Sequence, residues 1–187
     1  MPLTNVVGPG LGASLVGTST LSVPITSLVR GTTPPTAVNI ANFGRGYAYT
    51  VNDDSTFSAV LPLDWVPGSD LTLFIRWGCN ETYAANSGVV RWYAWGTALT
   101  SNATNQVGVG RTIGNPTADI QVPAAARTLR EDSLGIAYGG GLAAGDTLGV
   151  MLSRILSITG VTPTQEPEIY AVWIQYTRYM LWAARQQ

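Results

Sequence analysis

The chain has 187 residues, of which 45% are hydrophobic and 11% charged, with a formal net charge of −1 at pH 7. A near-neutral chain lacks the basic patch that nucleic-acid binding requires, and its length suits one domain with a sizeable core. An average soluble domain is roughly 25% charged, so much of this surface must consist of Thr, Ser, Asn, Gly and apolar groups. Such a surface fits a protein covered by other copies or by partners, and a neutral secreted domain is the alternative.

Missing residue types exclude several chemistries. There is no histidine, which removes the usual Ser-His-Asp and Cys-His catalytic arrangements and every histidine metal site. All ten basic residues are arginine, whose weakly hydrated guanidinium suits interfaces better than lysine does. The single cysteine, Cys79, excludes a disulfide within the chain, and we expect an inert, partly buried thiol at a strand end.

Targeting signals are also missing. The start, Met1-Pro-Leu-Thr, lacks a basic region followed by an apolar one. No run approaches the ~20 apolar residues of a membrane span. We therefore expect a protein that is made in a cytoplasm and does not span a membrane.

Residues 1–44 form a segment of distinct composition. They are rich in Gly, Pro, Thr and Ser, and their prolines prevent a long central strand. An extended arm so poor in core residues is ordered only if something holds it, so we expect it to lie along a neighbouring subunit or to pair with a sheet edge there. Its apolar side chains available for such contacts are Val6, Leu11, Leu15, Leu21, Val23, Ile25, Leu28, Ile40 and Phe43.

The body, residues 45–180, alternates turns with strands. The clearest strand alternates apolar and polar positions, with one face formed by Leu71, Leu73, Ile75 and Trp77. Other strands are predicted at 46–51, 56–61, 89–95, 102–114, 119–122, 128–138, 147–157 and 168–179. About eight strands without a convincing amphipathic helix predict an all-β protein, a single jelly-roll β-sandwich between the N-terminal arm (1–44) and a C-terminal tail (181–187).

The last predicted strand is apolar on both faces. Strict alternation places on one face Tyr170, Val172, Ile174 and Tyr176, and on the other Ile169, Trp173 and Tyr179. A strand of this kind is covered on both faces, by its own sandwich together with a folded-back arm or by a neighbouring molecule.

Six tryptophans are many for a chain of this size. Trp77 and Trp92 fall on the apolar faces of their strands, which predicts core positions. Trp95 and Trp173 fall on the opposite faces, and we assign them, with Tyr179 and Trp182, to subunit contacts, because buried aromatic residues dominate interface energetics. An alternative role for exposed tryptophans is to stack on sugars.

Three pairs of carboxylates are the candidates for acid-base catalysis, which in glycoside hydrolysis needs only two Asp or Glu side chains. They are Asp53/Asp54, Glu131/Asp132 and Glu166/Glu168. Each pair lies in a predicted turn or at a strand end, where solvated acidic residues are expected anyway. We therefore expect neither enzymatic activity nor a cofactor or metal ion.

Five segments together resemble a group of small phage structural proteins. They are LPLDW at 61–65, DLTLFIRW at 70–77, GVVRW at 88–92, LAAGDTLGVMLSR at 142–154 and AVWIQY at 171–176. Proteins of this group are single jelly-roll sandwiches built into virions as head decoration or cement proteins, head fibres or tail-associated domains. The resemblance spans residues 56–179 and departs from the usual pattern at Arg154, which is followed by Ile155 instead of an acidic residue.

The resemblance implies a non-enzymatic virion structural protein, most directly a capsid decoration or cement protein. Its expected partners are other copies of itself, with a trimer favoured, and a major capsid or other virion protein. Two other functions stay open: a receptor- or carbohydrate-binding fibre or tail domain, and the small jelly-roll capsid protein of a non-tailed virus.

Overall fold

The structure is a computed structural model that describes residues 16–40, 44–82, 88–99, 117–136 and 142–180. Within these ranges the regular elements are almost entirely strands, joined by one short 3₁₀ turn, Ile25–Ser27. The strands are β1 (Val16–Val23), β2 (Val29–Arg30), β3 (Thr36–Ile40), β4 (Gly44–Ala48), β5 (Asp54–Val60), β6 (Leu71–Cys79), β7 (Val89–Leu99), β8 (Ile120–Gln121), β9 (Arg130–Ile136), β10 (Thr147–Ile155) and β11 (Pro167–Tyr179).

Two antiparallel sheets form a sandwich. Sheet A has the order β3-β4-β11-β6-β9, with β1 also paired to β11, and sheet B has the order β2-β5-β10-β7-β8. The last eight strands pair as nested partners: β4 with β11, β5 with β10, β6 with β9 and β7 with β8. A long hairpin that is rolled up on itself produces this pairing, and this strand topology is that of a jelly roll. The predicted fold class is therefore confirmed.

The core lies between the sheets and is built by strands with period-2 alternation. In β6 the side chains of Leu71, Leu73, Ile75 and Trp77 are fully buried, as the sequence predicts. The intervening positions of β6 face outwards, and Arg76 is exposed. Cys79 is a free thiol at the predicted strand end, the last residue of β6, and it is fully buried instead of partly buried. Trp92 and Trp77 both occupy the core, with ring centroids 5.8 Å apart.

The predicted phase of β11 is wrong near its start. A register shift between Ile169 and Ala171 marks a β-bulge against β6, in which an additional residue is accommodated in one strand. Ile169 is therefore fully buried together with Val172, whereas Tyr170 is only partly buried. A bulge reverses the alternation beyond it, and no property of these side chains announces it in the sequence. The sequence analysis assumed strict alternation and so placed Tyr170 on the same face as Val172, which is wrong.

The described part of the N-terminal segment joins the sheets of its own chain, whereas the sequence placed it on a neighbouring subunit. Strand β1 pairs antiparallel with β11 over eight residues, from Val16 opposite Tyr179 to Val23 opposite Val172. Strand β11 is 13 residues long and β4 pairs with it only at Glu168 and Ile169, so β1 finds a free edge beyond β4. Residues 1–15 lie outside the described ranges.

The same segment also crosses between the sheets. Strand β2 pairs with β5 in sheet B, and β3 pairs with β4 in sheet A. Val23 and Leu28 are buried in the core on either side of the 3₁₀ turn. The domain boundary predicted after residue 44 is wrong, since it falls inside the β3–β4 hairpin. The sequence did not show this hairpin because Gly, Pro and Thr hide the period-2 pattern of its short strands.

Candidate interaction surfaces

The outer face of sheet B carries Trp95 in a continuous row of side chains. The cross-strand register places Val29 opposite Thr56, Thr56 opposite Met151, and Met151 opposite Trp95. Next to this row Gly149 has no side chain, and a shallow groove of about 350 Å³ opens there. We call it the Trp95 groove. No charged residue lines it among those that the structure describes, so it is suited to an apolar side chain.

The outer face of sheet A carries Trp173 in a more polar setting. Its ring stacks in parallel with that of Phe74 at a centroid distance of 5.5 Å, and the Arg76 guanidinium lies 5.5 Å from its centroid. Both contacts come from β6, on one side of β11. A groove of about 480 Å³ beside the Trp173 ring is lined by Tyr170, Arg76 and Ser22 among others, and we call it the Trp173 groove.

The charged groups beside Trp173 are already paired. Arg76 forms an ion pair of 3.0 Å with Glu131, and both side chains are about half exposed. The Tyr170 hydroxyl donates a hydrogen bond of 2.6 Å to Glu168, and burial together with this bond raises the pKa of Tyr170. Hydroxyl and carboxylate oxygens on this face can accept further hydrogen bonds.

The remaining interface candidates lie in different settings. Val23 and Leu28 are in the core, and Leu21 and Ile25 are partly buried against it. Tyr179 is 39% exposed at the end of β11. Ile40 lies in β3, where its backbone alone is described. The other predicted contact residues lie outside the described ranges: Val6, Leu11, Leu15, Phe43 and Trp182.

The loop between β10 and β11 exposes an apolar surface that the sequence analysis missed. Leu156, Ile158 and Val161 are 66%, 71% and 60% exposed. These residues lie in a Pro-containing loop and follow neither the strand nor the helix period, so no pattern predicted their exposure. The only signal in the sequence was the number of apolar residues in so short a loop. We call this segment, residues 156–161, the apolar loop.

Asp119 holds the apolar loop in a fixed shape. Its carboxylate accepts hydrogen bonds from the backbone N–H of Ile158, from the backbone N–H of Thr159 and from the Thr159 hydroxyl. Val89 donates a backbone hydrogen bond of 2.9 Å to the Val161 carbonyl. At Gly160 φ is +78°, and a Cβ there would lie 2.8 Å from the Val89 side chain, so this position requires glycine.

We expect the apolar loop to keep its shape down to pH values below the ordinary range of an aspartate. The Ile158 N–H bond and the Thr159 bonds, with a contribution from Arg91, lower the pKa of Asp119 from 3.8. Because the folded-state pKa is depressed, the hydrogen bonds are present above 3.8 and are lost as the pH falls through the lower value. Amide chemical shifts of Ile158 and Thr159 should titrate with a midpoint below 3.8. A midpoint at or above that value contradicts the assignment, and Asp119→Asn is the non-titrating control.

Hydrogen bonds between polar groups buried at one end of the sandwich stabilise the fold. The Arg154 guanidinium donates a 2.6 Å hydrogen bond to the Tyr49 carbonyl, and Ser153 donates one of 3.0 Å to the Asp53 carbonyl. The Tyr49 hydroxyl is bonded to Ser55, and burial raises the pKa of Tyr49. These bonds tie β10 to the turn between β4 and β5.

Asp53, Asp54 and Asp132, three of the candidate carboxylates, accept local hydrogen bonds. Asp53 accepts a 2.6 Å hydrogen bond from the Thr50 N–H, and Asp54 accepts bonds from the Thr32 and Thr33 N–H groups. Asp132 accepts a 2.7 Å bond from the Trp77 indole. Within the described ranges no group of three or more His, Cys, Asp or Glu could hold a metal ion.

Cys79 is a poor nucleophile in this setting. Burial raises the pKa of its thiol to about 11, and the Sγ atom lies 3.3 Å from the Gln165 carbonyl oxygen. A thiolate is the reactive form of cysteine, so the raised pKa keeps this group unreactive near neutral pH.

Among the helical segments that the structure describes, none is long and apolar enough to cross a membrane.

Comparisons with known proteins find likenesses in structure and none in sequence. No family model matches the chain, and no curated protein matches it. A structure of infectious bursal disease virus, Gx strain, is similar with a TM-score of 0.42 and 10% identity, over 92% of this chain and 33% of that chain. The chain thus spans about a third of that protein's length. The K3 adhesin domain of Lys-gingipain from Porphyromonas gingivalis W83 is similar with a TM-score of 0.38 and 15% identity, over 84% of this chain and 90% of that one. At these TM-scores neither likeness assigns a function.

Proposed function

We propose that this chain is a non-enzymatic structural protein of a virion, most closely a capsid decoration or cement protein. The observation that carries the proposal is the Trp95 groove, an aromatic and uncharged surface on the outer face of sheet B. The sandwich buries Trp77 and Trp92 in its core without any help from Trp95. An outward tryptophan beside methionine contributes little to the stability of a monomer, whereas it contributes strongly to association.

Apolar surface at several other places supports the same function. The apolar loop exposes three aliphatic side chains, and Leu63 is 86% exposed at the opposite end of sheet B. Each Å² of such surface that is buried in a contact contributes about 25 cal/mol. With 11% charged residues the chain has few groups that would oppose close packing of copies. The resemblance of residues 56–179 to jelly-roll proteins of virions supports a location in a virion.

The partners in this proposal are other copies, with a trimer favoured, and a major capsid or other virion protein. We assign residues 1–15 and 181–187 to contacts with these partners, on the strength of their apolar side chains. Residues 16–40 fold with the body, so the part of the arm available to a neighbour is shorter than the composition predicts. A shell protein of a non-tailed virus would use the same surfaces.

A second function, carbohydrate binding by a fibre or tail domain, rests on the Trp173 groove. Two aromatic side chains, Trp173 and Tyr170, line it together with Arg76 and the hydroxyls of Ser22 and Thr20. Aromatic rings beside hydrogen-bonding groups are a frequent basis for sugar recognition. A glycan array should then show binding that Trp173→Ala abolishes and Trp95→Ala preserves.

The mass of the purified protein in solution tests the first function. We expect a stable oligomer over a wide concentration range, and we expect deletion of residues 1–15 to weaken it, because the deletion leaves every described strand in place. Sedimentation velocity at several concentrations measures both. A monomer of 19.8 kDa at every concentration would contradict the assembly function and would favour the carbohydrate-binding one.

A further inference from the structure

The β-bulge in β11 creates the Trp173 groove. The register shift between Ile169 and Ala171 turns two successive residues, Tyr170 and Ala171, towards the outer face of sheet A. Ala171 carries only a methyl group, whereas Tyr170 and Trp173 on either side of it carry large rings, so a depression opens over Ala171. Its volume of about 480 Å³ lies within the range of small-molecule sites.

The Trp173 ring is supported from one strand and accessible from the other. Phe74, which is opposite Trp173 on β6, stacks on it with 4° between the ring planes. The residue opposite Trp173 on β1 is Ser22, whose short side chain leaves the indole accessible from that direction. The C–H groups of a sugar ring carry partial positive charge and are attracted to the electron-rich face of an indole. Because Phe74 holds the ring in place beforehand, less conformational freedom is lost when a ligand binds.

Hydrogen-bonding groups surround the Trp173 ring. The side chains of Thr20 and Ser22 are exposed on β1, and each hydroxyl can donate and accept a hydrogen bond. Arg76 lines the groove from β6, and its described bond to Glu131 uses Nη2, one of several N–H groups of a guanidinium. A ring that carries several hydroxyl groups can bond to donors and acceptors of both kinds at once. The lining therefore fits a sugar.

The charges around the groove favour a neutral sugar over an acidic one. Among the described residues that line it only Arg76 is charged, and Glu131 balances this charge at 3.0 Å. An anionic sugar would have to displace Glu131, and it would meet the Glu168 carboxylate to which the Tyr170 hydroxyl is bonded. Arg127, another cation that acts on Tyr170, does not line the groove. A neutral sugar binds without breaking the Arg76 ion pair.

We propose that the Trp173 groove binds an uncharged pyranose ring of a glycan. The sugar lies over Ala171 and against the Trp173 ring, with its hydroxyl groups bonded to Ser22, Thr20 and Arg76. This inference rests on the carbohydrate-binding function proposed above, since it names the class of ligand that the same groove takes.

A glycan array that presents neutral glycans beside their sialylated counterparts tests the ligand class. The natural protein should bind neutral glycans and discriminate against the sialylated ones. Glu131→Gln should strengthen the binding of sialylated glycans by roughly tenfold or more, the effect of one hydrogen bond between charged groups, because it frees Arg76. Ala171→Leu fills the groove without removing a hydrogen-bonding group and should abolish binding. Trp95→Ala, on the other sheet, should retain it, and circular dichroism checks that each variant is folded.

The outcomes separate the ligand class from the function. A preference for sialylated glycans that Trp173→Ala and Ala171→Leu both abolish would leave carbohydrate binding in place and contradict the uncharged class. Glycan binding that survives both of these variants would overturn the assignment to this groove. If the natural protein binds nothing on the array, and saturation-transfer NMR with the neutral glycans shows no contact, the ligand class and the carbohydrate-binding function are both wrong.

Discussion

Trp92→Ala is expected to lower the free energy of unfolding by about 3–5 kcal/mol, the range for removing a large aromatic side chain from a core. Trp92 is fully buried at the centre of an aromatic cluster. Its ring meets Tyr49 edge-on, with centroids 5.5 Å apart, and Trp77 at 5.8 Å. The cavity would border both sheets, because Trp77 lies in β6 of sheet A and Trp92 in β7 of sheet B. Urea unfolding followed by circular dichroism measures the loss.

Trp95→Ala is the matched control on the same strand. Trp95 lies three residues further along β7 on the outer face, so the same substitution should cost roughly 1 kcal/mol or less. Its effect should appear in association instead, as a loss of oligomer. Equal losses of stability for the two variants would contradict the assignment of Trp92 to the core and Trp95 to the surface.

Arg154→Met is expected to destabilise the fold by at least about 1–3 kcal/mol, the cost of leaving a buried polar group unsatisfied. Arg154 is 3% exposed, and its guanidinium donates to the Tyr49 carbonyl at 2.6 Å. Methionine keeps much of the side-chain length but has no donor. Because the Tyr49 carbonyl precedes the turn into β5, we also expect faster hydrogen exchange at the Asn52 N–H, which donates to the Arg154 carbonyl.

Arg76→Met serves as the comparison for a solvent-exposed arginine. Arg76 pairs with Glu131 at 3.0 Å, but both side chains are about half exposed. An ion pair of this kind contributes about 0–1 kcal/mol, because water and salt screen it. Thermal unfolding should therefore separate the two arginine variants clearly. A stable Arg154→Met protein would show that the buried hydrogen bond is dispensable.

Period-2 alternation made the central strands predictable from sequence. The strand beginning at Leu71 was predicted with the correct inner face, and so were the core position of Trp92 and the outward position of Trp95. A half-buried sheet forces this alternation on any sequence that forms it. The predicted start of β10 at Thr147 is likewise the observed one.

Other features depend on contacts that a local pattern does not contain. The bulge before Ala171 changes the face of Tyr170, and it is set by the pairing of β11 with β6. Strand β1 looks like a polar linker, because its outer positions from Thr18 to Ser22 are Thr and Ser and only Leu21 and Val23 pack against the core. The apolar loop was missed for a similar reason, since its shape depends on Asp119, about 40 residues away in sequence.

The nested pairing of the jelly roll has a consequence for biosynthesis. Strand β11 follows all other described strands in the sequence, yet it is the central strand of sheet A, between β4 and β1 on one edge and β6 on the other. Tyr47 can pair with Ala37 of β3 early, but its pairing with Ile169 on the other side, and with it the completion of sheet A, requires residues 167–179. Contacts so distant in sequence make folding slow, on the order of milliseconds to seconds. Until those residues emerge, the nascent chain therefore carries unpaired, aggregation-prone strands.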